Sequence, residues 1–142
     1  MKRAQVKLVV PVLLLLAFVV GCQSSKKQLL ATGESQVQLR SIQSRAFDTT
    51  DRKKMLRTIM ATLQDLGFVI DNADETLGSV SATKLDRYAL RMTVTIRPRG
   101  QTQTMVRANA QYRLRAVEDP EPYQQFFDAL GKAMFLTAHE VD

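Results

Sequence analysis

Cysteine and histidine are almost missing from this chain, which carries one of each in 142 residues, Cys22 and His139. A lone cysteine excludes an internal disulfide framework, and a single histidine excludes the Cys/His clusters that build structural zinc sites. Neither a metal nor another cofactor is expected. The sequence also lacks GxSxG, HExxH and phosphate-binding glycine loops. His139 stands three residues from the last, Asp142, where fraying works against the fixed geometry catalysis needs. Asp71, Asp74 and Glu75 in "DNADET" lack the EF-hand spacing and its terminal bidentate Glu, so they read as a solvated turn. With no nucleophile and base pair in view, the chain reads as a protein other than an enzyme.

Excess charge is thin as well. The formal net charge is +6, but Lys2, Arg3 and Lys7 supply half of it. From Cys22 onward there are 17 Lys and Arg against 14 Asp and Glu. That balance falls short of the dense basic footprint of a nucleic-acid binder. Nor is there an apolar run of membrane-spanning length: Leu8 to Val20 covers about 13 residues where a spanning helix needs about 20. A basic start, a short apolar core and then Gly21, Cys22 and the polar string "QSSKKQ" describe a processed signal segment.

The sequence "VVGC", Val19 to Cys22, resembles the lipobox of bacterial lipoproteins. The resemblance implies cleavage between Gly21 and Cys22, a diacylglycerol on the Cys22 thiol and acylation of the new amino group. Several acyl chains on one residue give a lasting anchor where one gives only marginal binding. By that family's sorting rule, Gln23 after the cysteine points to the outer membrane, with the inner membrane as the alternative, and to a domain facing the periplasm. The chain thus divides into a signal peptide (1–21), a lipidated N-terminus and tether (22–35) and a globular domain (36–142). The tether assignment rests on "QSSKKQLLATGES", which mixes Ser, Lys, Gln and Gly without a sustained period.

Within the domain, "SQVQLRSIQSRAF" opens on the alternation Val37, Leu39 and predicts a strand with a bulge near Ile42. "DTTDRKKMLRTIMATLQDLGF" predicts a helix, with Asp48 and Asp51 spaced as in a capping box and Met55, Leu56, Ile59, Met60, Leu63 and Leu66 on one face. Gly67 is its expected cap, with positive φ. "FVI" predicts a short strand, "DNADETLG" a turn and "SVSATKL" a strand with Val80 and Ala82 on one side.

"YALRMTVTIRP" places Leu90, Met92, Val94 and Ile96 inward, Pro98 to Gly100 supply a turn, and "TMVRANAQYRLRA" places Val106, Ala108, Ala110, Tyr112 and Leu114 inward. The final segment, "EDPEPYQQFFDALGKAMFL", sets Tyr123, Phe126, Phe127, Leu130 and Met134 at helical spacing. The expected fold is a single small α+β domain, with two helices on one face of a mostly antiparallel sheet of about five strands, in the order β-α-β-β-β-β-α.

That order, and the phrase "LQDLGFVIDNADETLGSVSA", are similar to the small helix-on-sheet domains of BamC-type accessory lipoproteins of the outer-membrane barrel-assembly machinery. The resemblance implies an accessory role beside an envelope protein. The residues themselves offer one candidate surface: Arg91, Arg97, Arg107, Arg113 and Arg115 share the outward side of the predicted hairpin, with Arg99 at its turn. Such a row reads either as a solvated face that deters edge pairing or as a docking surface for an acidic partner. The expected function is a non-enzymatic accessory or assembly subunit of an export or outer-membrane biogenesis complex, held to the membrane by its N-terminal lipid. The alternative is a small lipid- or ligand-binding carrier that uses space between helices and sheet.

Overall fold

The structure is a computed structural model that describes residues 36–86 and 88–139, with side chains through Phe135. The expected signal segment, the expected cleavage and lipidation site at Gly21–Cys22 and the expected tether lie outside the described residues, as does the His139 side chain. The chain divides into two compact units, Met1–Gln38 and Leu39–Asp142. Of the first, residues 36–38 are described and are helical.

The first correction falls where a long bulged strand was expected. Residues 36–42 are helical, and the strand is confined to Ser44–Phe47 (β1). Leu39 and Ile42 are half-buried and Gln43 is buried, a three-then-one spacing that suits a helical turn, and the Gln43 amide donates to the Leu39 carbonyl at 3.1 Å.

The first long helix, α1, spans Arg52–Asp65. Its N-cap is Asp51, whose Oδ1 accepts from the Lys54 amide at 2.9 Å. Asp48 takes no part in a capping box; its Oδ1 accepts from the Gln103 side-chain amide at 2.6 Å. Met55, Leu56, Ile59 and Leu63 bury one face of the helix. Thr58 and Thr62 are buried among them, with hydroxyls donating to the carbonyls of Lys54 and Thr58 at 3.0 and 2.8 Å. The helix ends as expected at Gly67, φ +84°. The Phe68 amide donates to Leu63 and the Gly67 amide to Gln64, each at 2.9 Å, the two bonds of a Schellman turn.

Four antiparallel strands follow. They are β2 (Val69–Asp74), β3 (Ser79–Asp86), β4 (Tyr88–Arg99) and β5 (Gln103–Tyr112). With β1 they form a sheet in the order β1-β5-β4-β3-β2, to which the two-residue β6 (Arg115–Ala116) adds beside β5. β2 runs four residues past the expected "FVI", because a bulge between Ile70 and Asn72 resets its register and lets Asn72, Ala73 and Asp74 pair with Ser81, Val80 and Ser79. The turn shrinks to Glu75–Gly78. A Cβ on Gly78 would lie 2.8 Å from the Arg52 guanidinium and 2.9 Å from Ile96 Cγ1, at φ +66°.

Pro98 belongs to β4 rather than to a turn, opposite Thr104. The Ile96 amide donates across to the Gly78 carbonyl. Two residues on, the Pro98 nitrogen faces the same side, beyond the β3–β4 pairing that ends at Ser79 opposite Thr95. The missing N–H therefore costs no ladder bond.

The alternation of β5 stops at Ala110. Tyr112 is 43% exposed and Leu114 is 95% exposed, so neither enters the core. Arg113 takes φ +54° and turns the chain back, so that Arg115 pairs with Tyr112 and Ala116 with Gln111. The closing helix, α2 (Glu121–His139), follows Asp119, whose Oδ1 accepts from the Glu121 amide at 2.9 Å. Its Tyr123, Phe126, Phe127 and Leu130 pack with the inner face of α1 and with Val80, Met92, Val94, Ile96, Val106 and Ala108 of the sheet. The α+β class, the two covering helices and the mostly antiparallel sheet agree with the sequence reading; the short helix and β6 are additions to it.

Candidate functional site

Period-two alternation, which fills the core from one side of the sheet, leaves the other side uncovered among the described residues. Its central rows are Thr83–Arg91–Gln111, Ser81–Thr93–Asn109 and Ser79–Thr95–Arg107–Ser44. Arg97 follows opposite Met105, and Arg99 opposite Gln103. Arg97 and Arg107 are thus diagonal neighbours on adjacent strands, about 7–8 Å apart at Cα. Both are exposed. Arg107 Nη2 lies 3.5 Å from Gln43 Oε1 and keeps most of its donors for solvent or a partner.

Arg91 sits about 20 Å along the strand from Arg97, at 3.3 Å per residue, and has a local counter-charge. The β2 bulge brings Asp71 onto this face, where its carboxylate accepts from the Thr83 hydroxyl at 2.7 Å and lies 3.9 Å from Arg91 Nε. The positive field is therefore weighted toward Arg97, Arg99 and Arg107. Asp74 and Glu75 serve the neighbouring turn: Asp74 Oδ1 accepts from the Leu77 amide at 2.8 Å, and Glu75 lies 3.8 Å from Lys53.

Two members of the expected arginine row leave it. Arg113 occupies the β5–β6 turn, and Arg115, paired with Tyr112, belongs to the helix-bearing side. The alternation that would have put them beside Arg107 ends where the chain reverses. Arg91, Arg97 and Arg107 keep the open face, and of these the fold brings Arg97 and Arg107 together.

The structure also holds a site that the sequence reading did not assemble. At one end of the helix-bearing side, the α1 terminus, the β3–β4 hairpin, the end of β5 and the start of α2 enclose a cleft of about 350 Å³. Phe68 and Leu90 supply apolar surface, Tyr88 and Tyr112 meet edge to face at 6.5 Å, and Lys84, Asp86, Asp119 and Glu121 supply charge. Tyr88 is 71% exposed. The signal in the sequence was an aromatic residue, Tyr88, in phase with the inward set of β4 but at its outermost end, where the strand outruns the core. By contrast the space between helices and sheet is filled, with Tyr123 and Phe126 fully buried and Phe127 nearly so.

No protein-family model matches the chain, and no curated protein matches it.

Proposed function

We propose that this chain is a non-enzymatic lipoprotein, anchored through Cys22 in the outer membrane and facing the periplasm, whose domain serves as an accessory or assembly subunit of an envelope complex. Its contact with the complex is the open sheet face, and the partner surface is acidic. The observation that carries this reading is the Arg97–Arg107 diagonal on a sheet face left uncovered among the described residues. Arginine makes planar bidentate contacts with carboxylates and is enriched at protein interfaces. The filled interior supports docking over carriage of a lipid between helices and sheet, since Tyr123, Phe126 and Leu130 occupy that space.

The test is charge reversal of Arg97 and Arg107 to Glu in the full chain. Exposed substitutions of this kind usually stay within about 0.5 kcal/mol of the parent, so thermal stability should hold. Stoichiometric capture of an envelope protein from detergent-solubilised membranes should fall, with slower association and a flatter salt dependence. Unchanged capture and kinetics by a folded double variant would remove this face from the interface.

A further inference from the structure

The cleft at the Tyr88–Tyr112 end is the chemical opposite of the arginine face. We propose that it is a second binding site, which takes a polypeptide segment carrying an apolar side chain flanked by lysine or arginine.

Size sets the first limit. A volume of about 350 Å³ is at the low end of the range for small-molecule pockets, about 300–1,000 Å³. It admits one or two side chains and is a poor fit to an acyl chain. The lining sets the second. Phe68 forms an apolar floor, and the Tyr88 and Tyr112 rings stand at the rim with large exposed surfaces. Tyrosine in that position offers an apolar body and a polar tip to an incoming chain.

Charge selects the occupant. Among the described residues that line the cleft, Asp86, Asp119 and Glu121 stand with Lys84, so the lining is net negative in a chain whose overall charge is positive. The site also shows how a cation fits it, because the Lys84 ammonium lies 5.9 Å from the Phe68 ring centroid. A lysine or arginine from a partner would meet the carboxylates and the exposed Tyr88 and Tyr112 rings at the rim, while its apolar neighbour rests on Phe68 and Leu90.

The experiment titrates the isotope-labelled full chain, in a non-ionic detergent, with a panel of end-capped peptides in which Leu, Phe or Trp stands between two Lys or Arg. A matched set carries Glu in place of the basic residues. Amide shifts should centre on Phe68, Tyr88, Tyr112 and Gln125 for basic peptides and be absent for acidic ones. Tyr88→Ala should weaken binding by about fivefold, the scale of one lost aromatic contact. Glu121→Gln should weaken it and flatten its salt dependence, with melting unchanged in both variants. The proposal is overturned if no basic peptide binds, if acidic peptides bind equally, or if the shifts centre on Arg97 and Arg107. Shifts that arise from raising the protein concentration alone would also overturn it, by assigning the cleft to a second copy of this chain.

Discussion

Three separate pieces of the fold meet at the Tyr123 phenol. It donates to the Val117 carbonyl at 2.7 Å, and it accepts from the Ala110 amide at 3.2 Å and from the Gln43 side-chain amide at 3.3 Å. A single oxygen therefore ties α2 to β5, to the loop that precedes α2 and to the turn before β1. Tyr123 is fully buried, so water does not compete for these bonds. In Tyr123→Phe the ring still packs but three polar groups lose a partner. Leaving a buried donor or acceptor unpaired costs about 1–3 kcal/mol each, partly relieved where the group has a second partner or can relax. A loss of about 2 kcal/mol in unfolding free energy is expected, read from denaturant midpoints at constant slope. A change below about 0.5 kcal/mol would mean that the surroundings re-pair without the hydroxyl.

Among the elements, α1 has the most completely defined ends. Its Schellman turn requires positive φ at Gly67, while a Cβ there would meet only the Lys84 side chain at 3.7 Å, an ordinary contact. The penalty for substitution is thus one of backbone conformation rather than crowding. Gly67→Asn should cost least, Gly67→Ala about 1 kcal/mol, and Gly67→Val more, since a β-branched side chain tolerates the left-handed region poorly. Equilibrium unfolding of the three variants checks the order; equal stabilities would place the helix end elsewhere. This cap was legible because Gly67 follows six apolar residues at helical spacing, and α2 was legible for the same reason. β4 was legible from four inward residues in strict alternation, which also placed Arg91 and Arg97 correctly on the open face. Short segments carry less information. Two alternating residues, Val37 and Leu39, suit a strand, yet Leu39, Ile42 and Gln43 bury as a helical turn, and period alone cannot arbitrate over so few positions. The bulge at Asp71 and the reversal at Arg113 are set by tertiary pairing, so the charge partner of Arg91 and the loss of Arg113 and Arg115 from the row were not legible.

At the scale of the whole domain, the sheet edges bear on whether a surface is free to bind. The outer edge of β5 is closed in sequence by β1, by the Gln43 carbonyl, which accepts from the Ala108 amide at 2.9 Å, by Tyr123 and Val117 at Ala110, and by β6. β2 forms the opposite edge and carries the bulge, a device that discourages strand addition. In the proposed reading, recognition is by side chains, on the arginine face and in the cleft. On that reading such surfaces act on envelope partners only if the domain is held near them, and the lipobox-like "VVGC" would supply the means. Acyl groups contribute about 0.8 kcal/mol per buried methylene, so several chains on one residue hold a protein that one chain would release. Radiolabelled palmitate fed to cells should therefore enter the wild-type chain and not Cys22→Ser, which should also retain the mass of residues 1–21. Fractionation is the weaker assay, because an uncleaved apolar segment can itself keep the variant at the membrane. Equal labelling of both chains, or none in the wild type, would end the anchoring proposal while leaving the arginine face and the cleft to their own tests.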